Sequence, residues 1–388
     1  PESIELGIVP DPDQSSDFRF FALADVQPES GQEVGYFRDT FVPAMLAEPS
    51  SFVVNLGDNM FDHLDLYNNL INIQGRLGRP VWWVIGNHDL NFDAPDDDLS
   101  DETHHRLFGP NYFSFTYGGV HFVVLDNIHW KGREADGYDE KIEPRQLAWL
   151  EKDLAHVDKD ATIVLMHHAP LVSDVKGQRP IPGVDALAKV LAGRPRVLSL
   201  AGHWHRNGHY FFGKQHGWEG PGEFHHVVCT TASGAWWGGP KDPAGIPTAE
   251  QSDGTPNGFT IVEFSDGNYT ITYRNPQTSA EDQLRAYDPT RVAKDAQGRL
   301  QVIANVYYGN ERSKVEYRID DGEWVPMAPS EAADPLGEVL YNGVVRTGKS
   351  WVRAGETAHR GRVAETARAA QGDDRNGAGG GGGGGSRE

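Results

Sequence analysis

Five short apolar runs in the first half of the chain each end in a polar cluster. The runs cover residues 19–24, 52–56, 81–85, 161–166 and 197–201. Short and almost continuously apolar runs are typical of strands that are buried on both faces, in sheets covered by helices. Helical patterns over residues 62–77, 143–157 and 184–191 lie between them. Strands that alternate with helices predict an α/β core.

Two further segments have the pattern of β-hairpins. Residues 112–125 turn at Gly118-Gly119, and residues 259–273 turn at Asp266-Gly267. Glycine after a short polar residue is a frequent hairpin turn. We therefore expect antiparallel strands beside the α/β core.

The polar clusters share one position, directly after a predicted strand. They are Asp25, Gly57-Asp58, Gly86-Asn87-His88-Asp89, His167-His168 and Gly202-His203-Trp204-His205. Each would be an ordinary turn by itself, but the carboxyl ends of strands form the ligand crevice of open α/β sheets. Carboxylate, carboxamide and imidazole groups suit divalent or trivalent metal ions. Since one tetrahedral ion would not use all of them, we predict two ions about 3.5–4 Å apart, bridged by a carboxylate.

Composition excludes several classes of function. The chain has 35 Lys and Arg against 56 Asp and Glu, a net charge of −21, so no long nucleic acid is an expected partner. No run of about 18 apolar residues is present, and we expect no membrane span. The single cysteine, Cys229, allows neither an intramolecular disulfide nor a cysteine-based metal site.

The composition changes toward both ends of the chain. Residues 1–17 are rich in Pro, Asp and Ser and are predicted to be a tail or linker. Residues 18–284 carry all the polar motifs, and residues 285–345 have the pattern of a small β domain. Residues 346–388 include a pure glycine run at 379–385 and are predicted to be a disordered tail.

The motif series resembles the signature of the calcineurin-like metallophosphoesterases, whose order is DxH, GD, GNHD or GNHE, H and GHxH. Residues 233–237 (SGAWW) and 253–259 (DGTPNGF), with the β region after them, resemble a bacterial subgroup that has a C-terminal β domain. The resemblance implies a two-sheet β-sandwich flanked by helices, plus a small C-terminal β domain. The apolar runs alone do not distinguish two face-packed sheets from one doubly wound sheet.

The resemblance also implies roles for the motif residues. Asp25, Asp58 and His205 should bind the first metal ion, with Asp58 as the bridge, and Asn87, His167 and His203 should bind the second. The ions, which could be Mn, Fe, Zn or Mg, would polarise the phosphoryl oxygens and generate a hydroxide that attacks phosphorus in line. Asp58 and His88 are the catalytic candidates.

His88 should face the phosphate rather than a metal ion. There it would stabilise charge or protonate the leaving oxygen. Asp62 could orient His88, or it could cap the helix predicted to begin there. His168 is expected to be structural, because successive side chains of a strand point in opposite directions.

The first motif departs from the family pattern. Gln27 stands where the family usually has histidine, and a neutral amide oxygen is a weaker ligand than an imidazole. Gln27 remains a candidate ligand, with the identity and affinity of the first metal ion open.

Several residues are candidates for substrate contact. Asn87, Asn127, Trp236 and Trp237 are expected near the cleft, while Arg206 or Lys131 could meet the second negative charge of a phosphomonoester.

The predicted activity is metal-dependent hydrolysis of a small phosphate ester, either a monoester or a diester. Two alternatives stay open: a non-catalytic surface or binding protein that retains the fold, and another dinuclear metallohydrolase such as an amidase. The resemblance implies a location outside the cytoplasm, although no signal peptide is visible. The oligomeric state is open.

Overall fold

Two β-sheets pack face to face in the computed structural model, which describes residues 15–133, 137–173, 180–214, 218–287, 301–330, 332–342, 352, 354 and 362–366. Strands and helices are numbered in chain order. In those residues the first sheet has the spatial order β13 (Asn268–Arg274), β12 (Phe259–Ser265), β1 (Phe18–Leu23), β2 (Phe52–Leu56) and β3 (Val81–Val84). The second has the order β10 (Gly208–Phe212), β11 (Phe224–Val228), β9 (Val197–Ala201), β8 (Ile163–Met166), β5 (Val120–Val124) and β4 (Phe113–Tyr117).

Aromatic side chains fill the space between the two sheets. Phe20 and Phe52 of the first sheet stack with ring centroids 4.9 Å apart, and Phe52 meets Phe122 of the second sheet edge-on at 5.3 Å. All three are fully or almost fully buried. Burying one such side chain stabilises the fold by about 1.5–3 kcal/mol. The predicted two-sheet sandwich, which the apolar runs alone left open, is confirmed.

Helices cover the outer faces of both sheets. Helices α1 (Gly31–Ala47) and α2 (Tyr67–Gln74) pack on the first sheet, and α5 (Pro144–Leu154) and α6 (Val184–Leu191) pack on the second. The remaining short elements are α3 (Asp97–Ser100), α4 (Glu102–Phe108) and single 3-10 turns at Leu64–Leu66, Gly75–Leu77 and Asn87–Asp89. Strands β6 (Ile128–Gly132) and β7 (Gly137–Glu140) pair with each other as a separate hairpin.

Helix α1 is the main element that the sequence analysis missed. Its 17 residues include Pro43, which removes one backbone hydrogen bond from the helix interior. A signal was present at its start, since the Ser30 hydroxyl accepts from the backbone N–H of Glu33. Serine followed three residues later by glutamate is a frequent start of a helix.

Parallel pairing brings the motifs together at one end of the sandwich. Strands β1, β2 and β3 run parallel, as do β5, β8, β9 and β11. The carboxyl ends of these strands therefore meet, and a parallel bridge between Ala24 and Thr231 joins the two sheets there. Every motif cluster follows one of these strands.

The C-terminal region contains short antiparallel sheets. Strands β14 (Leu284–Tyr287), β15 (Gln301–Val306) and β18 (Arg362–Thr366) form one, and β16 (Glu316–Tyr317) pairs with β17 (Val325–Pro326). Helix α7 (Pro335–Gly337) continues into a π-helical turn, Glu338–Asn342. Strand β18 corrects the prediction of a wholly disordered tail, because it pairs with β15. The glycine run at 379–385 and most of the predicted N-terminal tail lie outside the described residues.

Within the described ranges, we find no helix of the length and apolarity that crossing a membrane requires.

Candidate metal centre

Left-handed backbone is concentrated in the motif residues at the strand ends. The φ angles lie between 46° and 76° at Asp25, Gln27, Asp58, His203 and His205. This conformation costs an L-residue about 1–2 kcal/mol, and it is tolerated best by Asp, Asn and His among residues with a side chain. Each reversal turns a side chain back over the end of the strand that precedes it.

Glycines allow the motif loops to approach the site residues closely. A β-carbon on Gly86 would lie 2.1 Å from the Asp58 backbone nitrogen, and one on Gly202 would lie 2.4 Å from Asp25 Oδ2. Neither distance is sterically possible. These two motif glycines are therefore required by the geometry of their neighbours.

The Asp58 carboxylate lies at the centre of the site and is almost completely buried. Its Oδ1 accepts from the His88 backbone N–H at 2.9 Å, and its Oδ2 accepts from Gln27 Nε2 at 3.1 Å. Burial alone would raise the Asp58 pKa, but the adjacent imidazoles of His168 and His88 outweigh it and hold that pKa below its usual range. Asp58 is therefore an ionised carboxylate.

His168, and not His167, reaches the centre. The Nδ1 atom of His168 donates to the Leu56 carbonyl at 2.9 Å. Its Nε2 lies 3.2 Å from Asp58 Oδ1 and 3.1 Å from Asn87 Oδ1. The ring therefore directs Nε2 at two oxygen atoms that could share a metal ion with it.

His167 has both ring nitrogens bonded elsewhere. Nδ1 donates to the Ala169 carbonyl at 2.8 Å, and Nε2 bonds to the Ser199 hydroxyl at 2.7 Å. The prediction that His167 is a metal ligand and His168 structural is wrong. Strand β8 ends at Met166, so alternation along a strand no longer sets the direction of these two side chains.

One group of ligand atoms surrounds Asp58. Asp58, His168 and His203 each offer an atom within 4.8 Å of the others. His203 Nδ1 lies 3.1 Å from His168 Nε2, and the Asn87 oxygen completes the group. The other nitrogen of His203, Nε2, lies 3.1 Å from Glu140 Oε1, a residue that the sequence analysis did not single out.

A second group contains Asp25, Gln27 and His205. Asp25 Oδ1 and Gln27 Oε1 are buried oxygens without a hydrogen-bond partner among the described residues. His205 Nε2 lies 3.5 Å from Asp25 Oδ1, while its Nδ1 donates to the Gly234 carbonyl at 2.5 Å. Burying unpaired oxygens is unfavourable unless a cation or donor faces them. The residues present therefore fit a metal ion here.

His88 is oriented by Asp62. The two side chains meet at 2.6 Å between Nδ1 and Oδ1, and the nearby turn Leu64–Leu66 has no side-chain cap. Phe61 stacks on the His88 ring with centroids 4.6 Å apart. Burial lowers the His88 pKa, but the Asp58 and Asp62 carboxylates raise it more, to about 9. Of the two roles considered for Asp62, the structure shows orientation of His88.

Asp89 braces the loop that carries Asn87 and His88. It is fully buried, and its carboxylate accepts from the backbone N–H groups of Asn59, Met60 and Gly86 at 2.9–3.1 Å. Burial and the nearby Asp58 raise its pKa to about 6. The last residue of this motif thus holds the loop in shape and makes no ligand contact.

Two of the predicted substrate contacts are structural instead. Asn127 is buried, and its amide bonds to both the N–H and the carbonyl of Ala169. Trp237 is also buried, and its indole N–H donates to the Val26 carbonyl at 2.9 Å. Both predictions are wrong, because these side chains brace the loops that carry the ligands. Trp236 is partly exposed and stacks on His205 at 3.9 Å, so its contact with substrate stays a prediction.

Two family models together match most of the chain. The model of calcineurin-like phosphoesterase matches residues 18–207, and the model of the C terminal of calcineurin-like phosphoesterase matches residues 225–368.

Curated relatives share shorter stretches. A cAMP/cGMP dual specificity phosphodiesterase of Mycobacterium tuberculosis is 32% identical over 135 residues, which are 34% of this chain and 39% of that protein. Purple acid phosphatase 15 of Arabidopsis thaliana is 30% identical over 104 residues, 24% of this chain and 18% of that protein. A probable cyclic nucleotide phosphodiesterase of Rhodococcus erythropolis is 28% identical over 161 residues, 37% of this chain and 47% of that protein. The chain spans less than half the length of each of these three relatives.

Two solved structures are similar at low sequence identity. A dimetal phosphatase from Danio rerio has a TM-score of 0.46 and 17% identity, covering 67% of this chain and 96% of that one. A purple acid phosphatase from yellow lupin has a TM-score of 0.48 and 15% identity, covering 69% and 53%. By the two family models, the chain belongs to the calcineurin-like phosphoesterases and carries that family's C-terminal domain.

Proposed function

We propose that this protein hydrolyses phosphate esters with the help of two metal ions. One observation carries the proposal: the ionised Asp58 carboxylate is shared between two groups of ligand atoms. Asp25 and Gln27 offer buried, unpartnered oxygens on one side. His168 and His203 offer ring nitrogens on the other.

The site residues divide between two metal positions. Asp25, Gln27 and His205 would hold the first ion, Asn87, His168 and His203 would hold the second, and Asp58 would touch both. Mixed carboxylate, amide and imidazole ligands suit Mn, Fe, Zn or Mg. When bound, such ions polarise the phosphoryl group and supply a nucleophile at neutral pH.

His88 would act on the substrate and not on a metal ion. Because Asp62 holds Nδ1, Nε2 is the ring nitrogen left for the substrate. The stacked Phe61 restricts rotation of that ring. A nitrogen held in this way can donate a hydrogen bond to a phosphoryl oxygen and a proton to the leaving oxygen.

We propose a phosphodiester as the substrate class. A monoester dianion usually requires additional cationic groups, and both candidates from the sequence are engaged elsewhere. Lys131 pairs with Asp139 at 2.8 Å, and Arg206 packs over the Trp204 ring at 4.8 Å. Two of the similar proteins described above are named as cyclic nucleotide phosphodiesterases, which agrees with this choice.

The proposal is tested by metal-stripped protein with Mn²⁺, Fe²⁺, Zn²⁺ or Mg²⁺ added back, using bis-p-nitrophenyl phosphate and p-nitrophenyl phosphate. We expect cleavage to return with metal and to favour the diester. His88→Ala should lower kcat by roughly 10²–10⁴-fold. His63→Ala is the matched control, since His63 is an exposed histidine in the same region.

Other outcomes separate the alternatives. Preference for the monoester would contradict the choice of substrate class. Metal uptake without cleavage of either ester would favour a non-catalytic protein that retains the fold. Failure to take up any metal would contradict the proposal itself.

A further inference from the structure

Two of the three histidines that are candidate metal ligands are oriented by backbone carbonyls. His168 donates from Nδ1 to Leu56, and His205 donates from Nδ1 to Gly234. A carbonyl can only accept, so Nδ1 of each ring must carry a proton. Nε2 then faces the centre and, once deprotonated, could bind a metal ion.

His203 is oriented the other way around. Its Nδ1 faces the centre, 3.1 Å from His168 Nε2, and its Nε2 lies 3.1 Å from Glu140 Oε1. An ionised carboxylate also accepts only, so Nε2 carries a proton and Nδ1 is the nitrogen that could bind a metal ion. Here a charged side chain has the role that a carbonyl has for the other two histidines.

Glu140 reaches His203 from the β6–β7 hairpin. Tyr138 precedes it by two residues, on the same face of β7, and meets the His203 ring edge-on at 6.3 Å. Asp139 lies between them, points to the opposite face and pairs with Lys131. The side chain of Glu140 is only 30% exposed, so this contact is partly shielded from water.

We infer that Glu140 is a positioning residue for His203, and that the β6–β7 hairpin completes the second metal position. This inference rests on the proposed function. Glu140 holds the ring in the plane that directs Nδ1 to the centre, and its charge makes the imidazole a more basic ligand than a carbonyl would. Loss of such a partner typically lowers metal affinity 10–100-fold.

The test measures metal binding and needs no substrate. Glu140→Ala, Glu140→Gln and the control Asp139→Asn would be stripped of metal and titrated with Mn²⁺ and with Zn²⁺ against a chelating dye. We expect Glu140→Ala to weaken one of the two binding steps by roughly 10–100-fold and to leave the other unchanged. Glu140→Gln should recover part of the affinity, because its amide oxygen can accept the same hydrogen bond. Asp139→Asn should match the wild type.

A double-mutant cycle distinguishes positioning from general damage to the fold. If Glu140 acts through His203, adding Glu140→Ala to His203→Ala should not weaken metal binding further. Equal losses with and without His203, or wild-type affinity in Glu140→Ala, would overturn the inference. Wild-type protein that binds no metal would overturn the proposed function, and is thereby distinguished from failure of the inference alone.

Discussion

The two metal positions differ in what holds their ligands. At the second position, His168 and His203 are fixed through their ring nitrogens, by the Leu56 carbonyl and the Glu140 carboxylate. At the first position, Asp25 and Gln27 lie on left-handed backbone, and Asp25 Oδ1 and Gln27 Oε1 have no hydrogen-bond partner among the described residues. Hydrogen bonds to ring nitrogens orient His168, His203 and also His205, while two ligand oxygens of the first position are left without a hydrogen bond.

The first position also depends on segments from far along the chain. The indole N–H of Trp237 donates to the carbonyl of Val26, the residue between Asp25 and Gln27 in the sequence. The backbone N–H of Ser252 donates to the His205 carbonyl at 3.0 Å, and the next carbonyl, of Asp253, accepts from Asn305. Because Asn305 lies on β15, Ser252 and Asp253 link the C-terminal domain to the candidate ligand His205. None of the contacts described for the second position links its ligands to the C-terminal domain.

Asp58→Ala should have the largest effect, since it removes the group common to both positions. We expect both ions to bind more weakly and kcat/KM to fall by at least about 10³-fold. Elemental analysis and steady-state kinetics measure the two quantities. Asp65→Ala, at an exposed aspartate, is the control. Two tightly bound ions in Asp58→Ala would show that the positions do not share this carboxylate.

His168→Ala and His167→Ala should separate a ligand from its structural neighbour. His168→Ala should lose the second ion and keep the first. His167→Ala should keep both ions but leave the Ser199 hydroxyl and the Ala169 carbonyl without that partner, at about 1–3 kcal/mol of stability. Metal stoichiometry and urea unfolding would be measured for both variants. Loss of the second ion in His167→Ala, and not in His168→Ala, would restore His167 as the ligand.

Gln27→His tests the comparison, because it should strengthen metal binding at the first position only. An imidazole is a better ligand than an amide oxygen for Zn²⁺ or Fe²⁺, so affinity there should rise on the order of tenfold. The hydrogen bond from Gln27 to Asp58 would be lost, which limits the gain. Titration of metal-stripped protein checks the change, and tighter binding at both positions would mean that they are not independent.

Asn305→Ala should have the smallest effect. It removes donations to the Asp253 carbonyl and to the Asp334 carboxylate, worth about 1 kcal/mol each. We expect the first ion to bind a few-fold more weakly and the second to bind as before. Arg312→Ala, which breaks an exposed ion pair between the C-terminal domain and Glu223, should change neither. Equal weakening of both ions would contradict the proposed link to His205.

Sequence reasoning located the five strands that precede the motifs because each is an uninterrupted apolar run. It missed β6, β7, β10 and β11, as well as α1, where Pro43 argues against a helix, and β18, whose residues resemble the tail around them. The number of sheets came only from the family resemblance, because an apolar run does not say which strand it will face.

Within the site, the structure brings together Asp25, Asp58, Asn87, His203 and His205 as expected, while their binding roles remain predictions. The choice between His167 and His168 failed because strand alternation was applied beyond the last residue of β8. Glu140 could not be found at all, since nothing distinguishes it among 56 acidic residues until the hairpin is folded. The predicted location outside the cytoplasm also stays a prediction.

The left-handed backbone at the strand ends has a consequence for how such a protein can change over time. Asn and Gly adopt that conformation at least as easily as Asp does, yet neither brings the negative charge that a metal ion needs. A single replacement at Asp25 or Asp58 could therefore abolish the proposed reaction while relieving backbone strain in the loop. Proteins that keep the scaffold and lose the proposed reaction are therefore one substitution away.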